Sequence, residues 1–285
     1  MIVVTGATGH LGRLVVEKLL EKVPASELAV AVRSPEKAKD LAARGVQVRR
    51  ADYAKPETLG PALAGAEKLL LISANEIGKR APQHAAVIAA AKAAGVKLIV
   101  YTSALRAPTS TLGLAGEHKA TEEAIQASGI PYVFLRNGWY LENYTENLGP
   151  ALAHGAILGS TAGGSVAAAA RADYAEAAVA VLTGHGHEGK GYELAGDVPF
   201  TMNELAAEVS KHAGKTIVYK DLPKEQYKAI LVGAGVPEPF AELYADSDVG
   251  IASGQLDDRT GTLRRLIGHP TTPLAAAVAA AFAKK

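Results

Sequence analysis

The sequence has no cysteine. Disulfides, thiolate metal sites and a cysteine nucleophile are therefore excluded. The absence suits a reducing compartment, and a cytoplasmic location is the expectation. Neither sign of charge is in excess: 30 Lys+Arg stand against 29 Asp+Glu, for a formal net charge of +1. Such a chain carries no electrostatic footprint for nucleic acid and no basic attraction to a membrane surface. Long hydrophobic runs are missing too. The longest candidate, Leu274 to Ala283, is about half of the ~18–20 residues that a spanning helix needs. The chain opens without a basic segment, and Ile2-Val3-Val4 gives way at once to a glycine turn, so no secretory signal is expected. The 8 histidines form no i, i+4 pair and no three-ligand group, so no metal is expected. A Gly-x-Ser-x-Gly nucleophile elbow is absent as well.

What is present reads as an ordinary globular chain of 285 residues, 48% apolar and 21% charged, enough for one large domain or two small ones. Short apolar runs at 1–5, 27–33, 46–50, 68–73, 97–102 and 130–136 read as strands. Between them, helical spacing after residue 10 and at 35–41, 56–63, 81–94 and 114–127 reads as helices. Strands alternating with helices form parallel βαβ units, and runs such as Leu69-Leu70-Leu71-Ile72 need cover on both faces. The expected fold class is α/β: a Rossmann-type, doubly wound parallel sheet with a smaller C-terminal α+β lobe. The expected domains are 1–150, to which 171–195 return, and a smaller non-contiguous lobe over 151–285. Within the second part, Tyr140 to Leu152 reads as helical, 191–195 as a strand, and Thr201 to Ala213 as a helix opened by the capping box Thr201-x-x-Glu204.

The first βα turn carries Gly6-Ala7-Thr8-Gly9-His10-Leu11-Gly12. Three glycines between a strand and a helix permit a tight turn and let a pyrophosphate approach the backbone, with the helix N-terminus facing it. Arg33 ends the second strand, where NAD-preferring sites keep an acid for the 2′-hydroxyl. A guanidinium there, with Lys37 nearby, favours a 2′-phosphate and hence NADPH. Asp52 and Tyr53 follow the third strand and are read either as adenine contacts or as turn caps. Ser73, Ala74 and Asn75 follow the fourth strand, and Thr102 and Ser103 end the fifth. All lie at the carboxyl edge, where open α/β sheets bind ligands, and are read either as contacts to the nicotinamide ribose or as loop caps.

The segments Gly6 to Gly12, Arg33, 51–53, 129–144, 245–250 and 266–274 resemble the NmrA-like atypical short-chain dehydrogenases over nearly the whole chain. The stretches 135–144 and 245–250 carry most of the specificity. The resemblance implies an NADPH-dependent, flavin-free reductase of quinones. Ordinary short-chain dehydrogenases place Tyr-x-x-x-Lys on the helix after the fifth strand. By this resemblance the Lys position falls on His118 and the Tyr position on Leu114, which puts alcohol dehydrogenase and epimerase chemistry in doubt.

A quinone tolerates that loss. Its reduction yields a phenol-like anion whose conjugate acid has a pKa of roughly 10, so positioning and oxyanion stabilisation suffice. The candidate groups are Asn137, Trp139, Tyr140 and Asn143, beyond the sixth strand, with His118. Arg171 opens the next helix and is read either as a contact at the site or as a cap. Two further readings stay open: a non-catalytic NADP(H) sensor, and a reductase of cationic dyes or imines. The expected partner is a small quinone-like molecule, and a homodimer is left open.

Overall fold

The computed structural model describes residues 1–283. The first half alternates as read: β1 (Ile2–Thr5), α1 (His10–Leu19), β2 (Leu28–Val32), α2 (Lys39–Ala43), β3 (Gln47–Arg50), α3 (Leu59–Leu63), β4 (Lys68–Leu71), α4 (Arg80–Ala93), β5 (Leu98–Ala104), α5 (Ala115–Ser128) and β6 (Tyr132–Asn137). There follow α6 (Glu142–Thr145), α7 (Gly149–His154), β7 (Ala156–Gly159), β8 (Ser165–Val166), α8 (Arg171–Thr183), β9 (Lys190–Leu194), β10 (Phe200–Thr201), α9 (Met202–Ala213), β11 (Val218–Asp221), α10 (Lys224–Gly233), α11 (Glu238–Ala252), α12 (Thr262–Ile267) and α13 (Leu274–Ala283).

Seven strands form the main sheet in the order β3-β2-β1-β4-β5-β6-β9. The register is parallel, with Val3 beside Ala29 and Leu69, and Ile99 beside Tyr132. β1, β2 and β5 are buried along their whole length, as their uninterrupted apolar sequences require. β3 is an edge strand, and its residues Gln47-Val48-Arg49-Arg50 are half-buried or exposed. Strand order reverses between β1 and β4, which creates the switch point where such sheets take ligands. The seventh strand, β9, runs beside β6 through the bonds Gly189 N to Tyr132 O and Gly138 N to Leu194 O.

The chain divides into two units. The first comprises Met1–Ala107, Gly116–Asn137 and Arg171–Tyr192. Its core packs Val3, Leu69, Ile99, Tyr101 and Phe134 of the sheet against Val87, Ile88 and Ala91 of α4, and each buried Val, Leu, Ile or Phe among them contributes about 1.5–3 kcal/mol. The second comprises Pro108–Ala115, Gly138–Ala170 and the residues from Glu193 onward. Residues 138–150, assigned to the sheet domain by sequence, cluster with this second unit. It holds two small sheets, β7 parallel to β11 and β8 antiparallel to β10. The capping box is formed in full: Thr201 accepts from Glu204 N while the Glu204 side chain accepts from Thr201 N.

Two helices differ from the reading. Tyr140 to Leu152 is not one helix but two short ones, because Pro150 sits in the first turn of α7 and cannot continue a preceding hydrogen-bond ladder. Pro35 to Leu41 opens as a 3-10 turn over Pro35–Ala38, and α2 starts only at Lys39.

Candidate active site

The glycine turn has the geometry its sequence demands. Gly6 takes φ +60°, in the left-handed region that favours glycine. Gly9 N donates to Gly6 O at 2.9 Å, which folds the turn back on itself. A Cβ on Gly12 would lie 2.3 Å from Gly6 O and 2.8 Å from Ala7 Cα, so only glycine fits. Ala7 and Leu11 are buried and offer backbone alone, while Thr8, Gly9 and His10 are exposed. No side chain caps α1, and its first turn holds no acid. An uncapped helix start with bare amides and no negative charge suits a phosphate group. Arg33 lies just past β2, 65% exposed, with Nη1 3.4 Å from Glu76 Oε1.

The loop after β4 is fixed from beneath. Ser73 N donates to Thr102 Oγ1 at 2.8 Å. Ala74 N donates to His84 Nε2 at 2.9 Å, and Ala74 O accepts from Arg80 Nε at 2.8 Å. Since His84 Nε2 accepts, its proton sits on Nδ1, which donates to Thr121 Oγ1 at 3.0 Å. Burial pushes the His84 pKa down to about 3, which keeps the ring neutral. Arg80 pairs in turn with Glu117.

Several residues expected at the cofactor are engaged elsewhere. Asp52 Oδ1 accepts from Ala54 N at 3.0 Å, which is the turn-capping alternative. Tyr53 directs its hydroxyl at Thr5 Oγ1 and Ile72 O, pinning β1 to the end of β4; burial raises its pKa. Ser103 does not face the same side as Thr102. Strand side chains alternate, and Ser103 Oγ donates to Glu122 of α5 at 2.6 Å. His118 is buried, with Nδ1 sharing a 2.8 Å hydrogen bond with Tyr101 Oη. Burial holds its pKa well below the usual value, so it is neutral and no stand-in for a lysine cation. Leu114, in the second unit, supplies no proton donor at the tyrosine position.

Asn137 ends β6, and its Oδ1 is buried with no hydrogen-bond partner. Asn75 and Arg171 belong to the first unit; Trp139, Tyr140 and Asn143 belong to the second. Tyr140 is paired with Ala169 in a parallel bridge, and Asn143 N donates to Tyr140 O. A separate cavity of about 190 Å³ in the second unit, lined by Ala168, Asp197, Phe200, Arg264 and Thr271 among others, contains none of the expected residues.

The sequence reading missed Thr5, His84 and Glu122. Thr5 accepts from Ile72 N and donates to Leu70 O. Its signal was a lone hydroxyl closing an apolar strand just before the glycine turn. Glu122 and His84 had no local signal, because their partners lie 10 to 37 residues away in sequence. Among the described residues no group of three or more His, Cys, Asp or Glu could hold a metal.

The sequence profile of the NAD(P)H-binding family matches residues 6–185, from the first glycine of the turn to just past the end of α8. The chain belongs to that family. Within the NAD(P)H-binding family it is 54% identical to quinone oxidoreductase 2 of Escherichia coli strain K12 over 282 residues, 99% of each chain. It is 33% identical to the NAD(P)H azoreductase of Xenophilus azovorans, again over 99% of each. The crystal structure of the E. coli NADPH-dependent quinone oxidoreductase complexed with NADPH matches with a TM-score of 0.96, covering 99% of this chain and 100% of that one. The triphenylmethane reductase of Citrobacter sp. complexed with NADP(H) matches at 0.94 with 45% identity, covering 99% and 100%.

Proposed function

We propose that the chain is an NADPH-dependent quinone reductase that works without flavin or metal. The observation that carries this reading is the 54% identity, over 99% of both chains, to a quinone oxidoreductase. The site supports it. The turn from Gly6 to Gly12 holds the pyrophosphate on backbone amides at the start of α1, with Thr8 and His10 on its outer side. Arg33 takes the 2′-phosphate, exchanging Glu76 for a better-matched anion. The pinned loop Ser73-Ala74-Asn75 and Thr102 flank the ribose, and Arg171 opens α8 toward the same ligand. Bound NADPH supplies the hydride.

The rest is positioning. Asn137 keeps a buried amide oxygen without a partner among the described residues, an arrangement that costs about 1–3 kcal/mol and that folding alone does not reward. Rotating this amide offers Nδ2 to the oxygen on which charge gathers as the acceptor is reduced. Trp139 supplies a flat apolar surface for a quinone ring, and Tyr140 and Asn143 add polar contacts to its oxygens. His118, held neutral by Tyr101, shapes the site and carries no charge into it. The second proton of the hydroquinone comes from water, since a phenol-like anion needs no strong acid.

The test mixes the purified chain with NADPH and 1,4-benzoquinone and follows loss of reduced nicotinamide absorbance, corrected for the uncatalysed rate. Acceleration is expected. Tight NADPH binding with no acceleration by any quinone would replace this reading with an NADP(H) sensor.

A further inference from the structure

The segment Ala245-Asp246-Ser247-Asp248-Val249-Gly250 lies on α11 and has no part in the reading above. Its surroundings are all within the second unit. Asp246 accepts from Gly113 N at 2.8 Å and stands 3.6 Å from Lys224. Ser247 Oγ donates back to Leu243 O within the helix. Asp248 is different. Its Oδ2 accepts from Ser160 N at 2.8 Å, and among the described residues no cation pairs with it. The groups that face it are Asp221 and Tyr219 of β11, Tyr227 of α10 and Tyr144 of α6, with Tyr244 of its own helix beside Tyr227. None is positively charged.

The turn from Gly159 to Gly164 runs along this acid. Its successive amides go to side chains: Ser160 N to Asp248, Thr161 N to Tyr219 Oη at 3.0 Å, and Ala162 N to Asp221 Oδ1 at 2.9 Å. A Cβ on Gly159 would lie 2.7 Å from Asp248 Oδ2. Ala162 is held at φ +47°, a left-handed conformation that costs about 1–2 kcal/mol for a residue with a side chain. Ser160 Oγ is buried without a partner. Burial lifts the Asp248 pKa from 3.8 to about 6. A half-buried carboxylate without a matching cation among the described residues, a left-handed alanine and an unmatched hydroxyl all weaken folding, and all meet at one turn. Such a concentration marks function rather than stability.

The turn leads straight into a strip that is bonded to the acceptor-contacting segment. Ala169 N donates to Trp139 O at 3.0 Å, and Leu141 N donates to Ala169 O at 3.0 Å. We propose that Asp248 is a positioning residue for quinone reduction: as a carboxylate it holds the Gly159–Gly164 turn, and through Ala167–Ala169 it fixes the segment from Trp139 to Asn143. The inference rests on the quinone-reductase reading. An ionised acceptor holds an amide about twice as strongly as a neutral one. Once protonated, the acid also becomes a donor for a neighbouring oxygen, and its grip on Ser160 N slackens.

The test is Asp248→Asn in the full chain, with Asp246→Asn as the comparison. Asparagine keeps an oxygen for Ser160 N and removes the charge. With 1,4-benzoquinone as acceptor, kcat/KM at about pH 8 is expected to fall about fivefold or more in D248N. The wild-type profile should show a limb near pH 6 that D248N lacks. NADPH affinity, read by nicotinamide fluorescence, should stay within about twofold, and the urea midpoint should not drop. Asp246→Asn should leave the pH limb in place. A fall of less than fivefold in D248N, or a fall accompanied by a lower urea midpoint, overturns the proposal. A wild type that binds NADPH but reduces no quinone sinks the quinone reading and this inference with it; an active wild type matched by D248N sinks this inference alone.

Discussion

Glu122 in the first unit, fully buried, and Asp248 in the second, half-buried, are acids treated in opposite ways. Glu122 is 4% exposed and receives Ser103 Oγ at 2.6 Å, Arg136 Nε at 2.9 Å and Arg136 Nη2 at 2.8 Å. Its charge is met by a planar fork that matches a carboxylate. Asp248 receives one backbone amide and sits among phenols and a second acid. A matched buried acid is structural, since it ties β5, β6 and α5 together. An unmatched one is a standing cost, tolerated where its charge serves something besides the fold.

The largest effect that tests this contrast is Glu122→Ala. It takes the Glu122 carboxylate away from Arg136, whose side chain is itself only 19% exposed, and should destabilise the chain by about 3–5 kcal/mol, measured as a lower urea midpoint. A loss below about 1 kcal/mol would mean that the two acids are energetically alike. Next is Gly12→Ala, which drives a methyl group into Gly6 O. NADPH affinity should drop about a hundredfold, close to 2.7 kcal/mol, by fluorescence titration.

Asp248→Asn should act on folding with the opposite sign to Glu122→Ala. The native acid has its pKa raised from 3.8 to about 6, so between those values the folded state binds the extra proton and stability declines as pH rises. Asparagine removes that penalty. The variant should gain about 1–3 kcal/mol near pH 8 and nothing below about pH 4, read from urea midpoints at the two pH values. Equal midpoints at both would remove the contrast. The smallest effect belongs to the exposed Arg33. Arg33→Asp should raise the NADPH KM about tenfold, near 1.4 kcal/mol, with far less change for NADH. Equal changes for both cofactors would rule out contact with the 2′-phosphate.

Much of the first unit was legible because its signals are local. Three glycines between an apolar run and a helical stripe specify a strand, a turn and a helix within twelve residues, and strand-helix alternation specifies the sheet. Side-chain direction was harder. Thr102 and Ser103 are neighbours in sequence and were read as one site, yet a pleated strand sends them to opposite faces. His118 was placed by its position relative to a lysine. Its role depends on Tyr101, whose side chain turns inward from the strand, and composition gives no sign of that pairing. The second unit was the least legible. The acid of 245–250 meets a turn 88 residues away, and nothing in the intervening pattern brings them together.

The loop after β4 has a thermodynamic consequence. With Ser73 N, Ala74 N and Ala74 O all bonded within the protein, that stretch of main chain is already immobile before any nucleotide arrives. Ordering it during association would otherwise cost about 1–2 kcal/mol per residue. Calorimetry should therefore find less unfavourable entropy of NADPH binding in the native chain than in a His84→Ala variant, where Ala74 N loses its acceptor.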